Sequence, residues 1–478
     1  MNRARIPAGL AVLTLCLSWT GSVSAQALED PCVPLDTVND RCPAWTGSYG
    51  SGIAVDDFPQ DLVVTPNGGT IVTLGATVTT ATGTDVTLVA HDAEVGSQRW
   101  AASLAGSGAA WDTPAGIAVS PDGTRVVVAA TTCESATALT TCDLLLAAFD
   151  PVSGDKTWET RFDGPALDQD SAAAVVVSPE GSSVYVAGLV GGQSTGPDAA
   201  LLAFEALNGE LLWTSYYDAI RAFDVAHLVA VSEDGERVFT SGPSVGGPKG
   251  KDYLTIAHDA ETGERLWVAR RDDHGGDDSP TGLVAGAGRV IVTGTTDDGV
   301  QGLQADYATV AYDEQTGQAL WEKIYNGGTN DLPLDLAMAP DGSSVYATGM
   351  SRGASSGYDM ATVAYSSDGS ELWTHRYNGL ANNGDAAWAV EVSPDGKQVY
   401  VAGDTLVPNV DYFHAVIAYS ADDGVIAWTG LHRGGGSRGG SLRQDLAVDP
   451  DGSRVYYTGQ ILAPTTDTDF LTLAYESA

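Results

Sequence analysis

Positive charge is scarce in this sequence of 478 residues. Lysine and arginine together number 23 against 62 aspartates and glutamates, which gives a formal net charge of −39 at pH 7. A surface of that sign repels phosphate backbones and anionic lipid. We therefore exclude nucleic acid as a partner.

Long apolar runs are equally scarce. The one at the start, within MNRARIPAGLAVLTLCLSWTGSVSAQA, follows Arg3 and Arg5 and precedes small residues, which is the layout of a secretory signal. We expect a signal peptide over 1–25, cleaved after Ala25 or Ala27, and hence a secreted, extracellular protein. Later stretches fall short of the roughly 18 apolar residues that a transmembrane helix needs, so we expect no membrane span. We also expect a monomer.

Cysteine is the third scarce residue, with five in the chain. Besides Cys16 in the predicted signal, they are Cys32, Cys42, Cys133 and Cys142. Four cysteines in an oxidising compartment favour two disulfides. The sequence-local pairing, Cys32–Cys42 with Cys133–Cys142, is the simplest of three connectivities. Neither metal-ligand spacing nor the C-x-x-C-H haem motif is present.

A helical period is missing as well, and a repeat takes its place. Tryptophans recur every 52 to 58 residues, at Trp45, Trp100, Trp158, Trp213, Trp267, Trp321, Trp373 and Trp428. Each interval contains short runs rich in Val, Ala, Tyr and Thr, bounded by Gly, Pro, Asp and Asn, which predict four strands, a to d. The a–b turn reads PDG in several units, and its glycine tolerates positive φ. Four-stranded units at this period predict an all-β protein, a β-propeller of antiparallel blades.

The two chain ends predict how the ring closes. After the last full unit the chain supplies strands a, b and c of another blade, and the missing strand matches CPAWTGSY at 42–49. Pairing an N-terminal strand with C-terminal strands removes an open sheet edge, which would promote aggregation. We therefore predict eight blades in a single domain over 42–478, preceded by an N-terminal extension over 26–41.

A motif around the repeated tryptophan carries a family resemblance. The pattern A-x-D-x-x-T-G-x-x-x-W occurs at 257–267 and 311–321, with looser copies elsewhere. It resembles the tryptophan docking motif of the eight-bladed quinoprotein (PQQ-dependent) dehydrogenases and their non-enzymatic relatives. The stretches 357–379 and 399–405 also resemble the secreted bacterial propeller-repeat family. The resemblance implies that each tryptophan packs blade against blade, as a large flat ring repeated once per blade would.

Aspartates follow the same period in two series. One precedes the alanine of strand c by five residues (Asp85, Asp143, Asp198, Asp252, Asp306, Asp359 and Asp469), and one precedes the a–b turn by nine (Asp57, Asp112, Asp170, Asp224, Asp331 and Asp385). We favour a structural role, in which each carboxylate accepts backbone N–H bonds from its loop. The alternative is a ring of acids at the channel mouth that binds a cation such as calcium.

Departures from the repeat are the candidates for a unique site. RRDDHGGDD at 270–278 offers oxygen and imidazole ligands for a metal from Asp272, Asp273, His274, Asp277 and Asp278, although a solvated acidic loop is the simpler interpretation. The stretch 431–443, LHRGGGSRGGSLR, is a basic loop in an acidic protein. An acidic ligand or partner could bind there to His432, Arg433, Arg438 and Arg443. The simpler interpretation is a loop whose charge only balances nearby acids.

Two further ligand-binding candidates occupy one repeat position. Trp388 and His227 stand where other units have Gln60, Ala115, Ala173, Leu334 and Gln444, and we expect them to project into the channel. Core packing is the simpler interpretation of Trp388.

Catalytic motifs carry little weight here. The two G-x-S-x-G matches lie in glycine-rich loops rather than in a strand–turn–helix elbow. The quinoprotein resemblance would imply adjacent cysteines and a Glu/Asn/Asp calcium site, which the sequence does not match, so no cofactor is assigned beyond calcium. We predict a secreted, non-catalytic binding or scaffold module that engages a protein or glycan through one loop face. The alternatives are a quinoprotein-like dehydrogenase and a calcium-dependent hydrolase or lyase.

Overall fold

A computed structural model describes most of the chain after the predicted signal peptide, which lies outside the described residues. The described ranges are 32, 40–51, 56–79, 83–104, 110–134, 142–165, 169–192, 196–219, 223–247, 250–272, 276–297, 305–353, 356–379, 384–406, 412–434, 444–462 and 468–477. Within them, no helix has the length and apolar character that a membrane crossing requires.

Each blade is a sheet of four antiparallel strands in chain order, and the chain enters the ring through two short strands, β1 (Asp40–Arg41) and β2 (Trp45–Tyr49). Blade 1 has β3 (Asp57–Val64), β4 (Thr70–Thr79), β5 (Gly83–Asp92), β6 (Gln98–Leu104) and a short β7 (Ala110–Trp111) beside β5. Blade 2 has β8 (Thr113–Val119), β9 (Val126–Cys133), β10 (Cys142–Phe149) and β11 (Lys156–Phe162). Blade 3 has β12 (Ser171–Val177), β13 (Ser183–Gly192), β14 (Gly196–Glu205) and β15 (Leu211–Tyr217). Blade 4 has β16 (Leu228–Val231), β17 (Arg237–Gly247), β18 (Gly250–Asp259) and β19 (Arg265–Arg271).

The second half of the ring repeats this order. Blade 5 has β20 (Ser279–Gly286), β21 (Arg289–Asp297), β22 (Ala305–Asp313) and β23 (Ala319–Tyr325). Blade 6 has β24 (Asp331–Met338), β25 (Ser344–Gly353), β26 (Gly357–Ser366) and β27 (Glu371–Tyr377). Blade 7 has β28 (Ala386–Val392), β29 (Gln398–Leu406), β30 (Tyr412–Ser420) and β31 (Ile426–Arg433). Blade 8 has β32 (Asp445–Val448), β33 (Arg454–Leu462) and β34 (Thr468–Glu476), with β2 as its fourth strand.

Closure of the ring is as predicted. Strand β2 pairs antiparallel with β34, with Trp45 opposite Ala474. Strand β1 adds a parallel fifth strand to the outer edge of blade 7, with Arg41 opposite Gly430. The end of the segment expected to be an extension therefore belongs to a blade sheet, because an exposed outer strand offers unpaired backbone groups to any neighbouring segment.

The repeated tryptophans join consecutive blades. Each indole Nε1–H donates to a backbone carbonyl in the turn or segment that follows strand c of the next blade, and the pairs are Trp45–Ala93, Trp100–Pro151, Trp158–Ala206, Trp213–Ala260, Trp267–Glu314, Trp321–Ser367, Trp373–Ala421 and Trp428–Ser477, at 2.9–3.2 Å. Gly317 shows why the motif contains glycine. Its φ is +69°, and an added Cβ would lie 2.6 Å from the Trp267 ring. Glycine is needed there both for the left-handed backbone and for the indole.

The disulfides Cys32–Cys42 and Cys133–Cys142 form as expected. The second joins neighbouring strands of blade 2, where Cys142 is opposite Cys133. Two disulfides indicate an oxidising compartment.

Candidate functional site

A pocket of about 170 Å³ lies at the seam between blades 4 and 5. Its lining includes Phe223, His227, Lys251, Asp277 and Ser279. These residues lie in or beside the d–a and b–c connections of the two blades, so the pocket belongs to that face of the ring. Two groups that are distant in sequence, the predicted channel histidine and the 270–278 loop, therefore meet here. We call it the seam pocket.

His227 reaches the seam pocket because of its place in strand a. It directly precedes β16, at the position where other blades carry a β-bulge, such as that between Ala387 and Ala389. A bulge re-aims one side chain away from the regular alternation. Burial, and secondly the charge of Lys251, lower the pKa of His227 to about 4. The imidazole is therefore neutral at pH 7, with one nitrogen donating and one accepting.

Lys251 supplies the positive charge of the seam pocket. Its ammonium lies 5.2 Å from the centre of the Phe223 ring, within the range of a cation–π contact. Its backbone N–H donates to Asp277 Oδ1 at 3.1 Å. The pocket thus combines a cation, a neutral imidazole and an aromatic face, which suits a polar or anionic group attached to an apolar body.

The predicted metal loop is divided by the fold. Asp272 and Asp277 are exposed, whereas Asp278 is 0% exposed and pairs with Arg271 at 3.7 Å. Asp278 Oδ1 also accepts the Asp297 backbone N–H at 3.2 Å. The arginine and the backbone amide already hold the Asp278 carboxylate. Asp273 and His274 lie outside the described residues, so the metal hypothesis stays a prediction.

The predicted basic loop is only partly described. His432 is in β31 with 1% of its surface exposed, and burial lowers its pKa to about 4. That burial keeps the His432 side chain from a ligand at the surface. Arg433 ends β31 half-buried, and Arg438 and Arg443 lie outside the described residues.

Trp388 is half-buried at the bulge of β28 and is not among the residues that line the central cavity. His227 lines the seam pocket rather than the channel. The repeat position identified the two residues as equivalent, but their surroundings differ: His227 lines the seam pocket, whereas Trp388 lies at the bulge of β28.

The central channel holds a second cavity of about 480 Å³ at the opposite face, beside the a–b turns. Its charged lining residues are Asp61, Glu391 and Asp445, and the rest are mainly apolar. Asp61 Oδ2 accepts the N–H of Ile117, and Asp445 Oδ2 accepts the N–H of Leu62, each at 3.2 Å. Asp61 and Asp445 thus link the inner strands of blades 1 and 8 to the next blade. Sequence reasoning missed them because they occur in only some blades.

The periodic aspartates form polar rows across the blades. In blade 4, Arg270 donates to Asp252 Oδ2 at 2.8 Å, to Ser244 Oγ at 2.8 Å and to the Ser244 carbonyl at 3.0 Å. Ser244 Oγ in turn donates to Asp224. Blade 6 repeats the arrangement with Asp331, Ser351, Asp359 and Arg376.

Loop amides complete these rows. Carboxylates of the second series accept loop N–H groups, as Asp57 does from Ser51 at 2.8 Å and Asp385 does from Gly379 at 2.7 Å. The structural role that we favoured for the series is therefore confirmed at these positions.

Three acids converge at another seam. Carboxylate oxygens of Asp143, Asp163 and Asp170 lie within 4.8 Å of one another at the seam of blades 2 and 3. Burial raises the pKa values of Asp143 and Asp170, and the Asp163 charge adds to both. Both Asp170 oxygens already accept backbone N–H groups, from Gly164 and Gly191. Asp163 belongs to neither periodic series, which is why sequence reasoning missed the group.

Comparison with known proteins shows which family the chain belongs to. Residues 45–307 and 306–474 match the family described as outer membrane protein assembly factor BamB. The chain belongs to this family. No curated protein matches it in sequence.

Several solved structures are similar to this BamB-family chain. The quinohemoprotein alcohol dehydrogenase ADHIIG from Pseudomonas putida HK5 has a TM-score of 0.54 at 16% identity, covering 94% of this chain and 78% of its own. A europium-containing methanol dehydrogenase has a TM-score of 0.54 at 12% identity over 91% and 93%. Chaetomium thermophilum Sqt1, bound to the N-terminus of the ribosomal protein L10, has 0.52 at 12% over 90% and 98%. At these identities the likeness shows the fold alone.

The central cavity does not suit the quinone cofactor that some of these structures suggest. Pyrroloquinoline quinone carries several carboxylates, whereas the charged residues that line the described channel cavity are themselves acids, Asp61, Glu391 and Asp445. Like charges at close range in a partly buried site oppose binding. The described lining of this chain's channel cavity therefore does not fit this cofactor.

Proposed function

We propose that this protein is an exported, non-catalytic binding propeller that engages a protein or glycan through the face carrying the d–a and b–c loops. The seam pocket carries the proposal, because Lys251, neutral His227 and the Phe223 ring line it together on that face. Export is supported by the signal-like start of the sequence and by the two disulfides.

The size of the seam pocket favours an anchoring role. At about 170 Å³ it is smaller than the roughly 300–1,000 Å³ of pockets that enclose a whole small molecule. A pocket of that size takes one side chain or one sugar substituent. Binding energy in larger interfaces concentrates at such desolvated pockets, with weaker contacts around them.

A protein partner is the better supported of the two classes. The family is described as an assembly factor, and Sqt1 has the N-terminus of another protein bound to it. The same fold thus holds peptides elsewhere. The net charge of −39 would make the rate of association with a charged partner depend on salt.

Peptide and glycan arrays test the proposal. The purified full chain is applied to both, together with Lys251→Glu, which reverses the charge in the seam pocket. A matched control is Lys397→Glu, because Lys397 is an exposed lysine in an a–b turn on the other face, 2.8 Å from Asp395. We expect Lys251→Glu to weaken the wild-type signals about tenfold or more, and Lys397→Glu to leave them unchanged.

Equal loss in both variants, or no saturable signal on either array, would contradict the proposal. The dehydrogenase alternative is tested separately by adding pyrroloquinoline quinone with calcium and following dye reduction. Reduction above a heat-treated control would favour the enzyme instead.

A further inference from the structure

We propose that the outer strand of blade 3 binds an extended, basic segment of a partner protein, which adds a strand to the edge of that sheet. This outer strand, β15, has seven residues, LLWTSYY. Among the described strands it pairs with β14, so the backbone groups along its other edge face away from the sheet. Such an edge is a template for strand addition, in which the backbone supplies hydrogen bonds and the side chains supply specificity.

The other outer strands are each protected against strand addition. Those of blades 1, 2, 4, 5 and 6 contain charged side chains, which disfavour a new strand at the edge. The outer strand of blade 8, β2, is short, with five residues. The outer strand of blade 7, β31, is covered by β1. In contrast, β15 is as long as the charged strands, contains no charge and is covered by none of the described strands.

Apolar side chains of β15 are exposed. They belong to Leu211, Leu212 and Tyr216. The outer strand of blade 2 has Lys156 and Arg161 at the first and last of these positions. Where one blade exposes apolar side chains and another has charges, the apolar edge is the one that gains from being covered.

Blade 7 shows what kind of segment fits an outer edge. Strand β1 runs parallel to β31, with Arg41 opposite Gly430. The Arg41 guanidinium lies 5.1 Å from the centre of the Trp428 ring, within the range of a cation–π contact. Trp213, at the same position of β15, is only half-buried. A strand added to blade 3 in the same way would place an arginine over Trp213.

The charge beside β15 also favours a basic segment. Glu210 precedes the strand and Asp218 follows it, and both are exposed. Arginine or lysine at the ends of an added strand would complement these acids. A second copy of this chain is disfavoured, because each copy has a net charge of −39.

Fluorescence anisotropy with a labelled synthetic peptide tests the proposal. The peptide alternates valine with arginine and threonine, so that it is extended and basic, and it is titrated with the full chain. We expect saturable binding, and no binding when glutamate replaces arginine in the peptide. Two further peptides carry N-methyl groups on alternate amides, one for each edge of the extended backbone. Because an added strand uses the amides of one edge, we expect one of them to bind and the other to fail.

A matched pair of variants locates the site. Leu212→Lys introduces a charge into β15, and Leu266→Lys makes the same change at the same position of β19 in blade 4. The two leucines are 52% and 44% exposed, so both variants should fold. We expect Leu212→Lys to weaken peptide binding about tenfold or more, and Leu266→Lys to leave it unchanged. Lys251→Glu should also leave it unchanged, because the seam pocket lies between blades 4 and 5.

The absence of saturable binding of the basic peptide would overturn the proposal. So would wild-type affinity in Leu212→Lys, equal binding of the acidic peptide, or equal behaviour of the two N-methylated peptides. If Leu212→Lys does not fold, Leu211→Lys replaces it and is judged in the same way.

Two other results would assign the peptide or the edge differently, and each would also overturn the proposal. Loss of binding in Lys251→Glu alone would place the peptide in the seam pocket. A wild-type dimer in sedimentation equilibrium that Leu212→Lys separates would make a second copy the occupant of the edge. Failure at β15 would not affect the proposed function, since the array experiment depends on Lys251 and not on this strand.

Discussion

Replacing Trp428 tests the closure of the ring. The Trp428 indole is 1% exposed, its Nε1–H donates to Ser477 at 3.2 Å, and its ring stacks on Tyr475 with centroids 5.7 Å apart. The guanidinium of Arg41 lies 5.1 Å from the ring centre on the strand that seals blade 7. Truncating a buried tryptophan to alanine costs about 3–5 kcal/mol. We expect Trp428→Ala to lower the free energy of unfolding by about 4 kcal/mol, the middle of that range, because ring, hydrogen-bond and cation contacts are lost together.

A matched variant separates seam packing from a general effect of losing an indole. Trp158 makes the same type of bond, to the Ala206 carbonyl at 3.1 Å, but is only half-buried. We expect Trp158→Ala to cost about 2 kcal/mol, since less apolar area is lost from burial. Trp428→Phe keeps a ring but loses the N–H bond, and should cost about 1 kcal/mol or slightly more.

Equilibrium unfolding in urea, followed by far-UV circular dichroism, measures these differences. Variants are compared only where the slope of unfolding free energy against urea concentration is the same, because only then do midpoint shifts report stability. A cost below about 1 kcal/mol for Trp428→Ala, in the range of ordinary surface changes, would refute the assignment of Trp428 as a main contact between blades 7 and 8. Equal costs for Trp428→Ala and Trp158→Ala would refute the argument from burial.

Two more predictions concern single positions. The pKa of Asp57 is about 6 in the fold against an ordinary 3.8, so the folded state binds the proton more tightly. The wild type should lose up to about 3 kcal/mol of stability as pH rises from about 4 to about 6, and Asp57→Asn should lack that loss; a parallel pH profile of the variant would contradict this. Gly317→Ala should cost more than Gly288→Ala in urea unfolding, because both have positive φ but only Gly317 abuts the Trp267 ring. Similar costs would show that backbone strain alone matters.

The sequence alone was sufficient for the architecture. The tryptophan interval indicated one large ring per blade, and the incomplete last unit required a strand from the N-terminus. Both inferences depend on counting strands, and the count survives small errors in strand bounds. The cysteine pairs were also predictable, because Cys133 and Cys142 flank one short connection.

The sites depended on contacts that sequence spacing does not reveal. His227 and Asp277 lie 50 positions apart, and they meet only because neighbouring blades share a seam. The channel acids, such as Asp61 and Asp445, follow no period in the sequence, because only some blades carry them.

Repetition in the sequence thus determined the number of blades, the order of their strands and the way the ring closes, because each blade must pack the same indole against its neighbour. The tertiary structure decided which polar side chains share a row. Cross-strand register sets those contacts, and register places Ser103 of blade 1 where blade 4 has Arg270. A serine and an arginine far apart in the chain become comparable only in the folded ring.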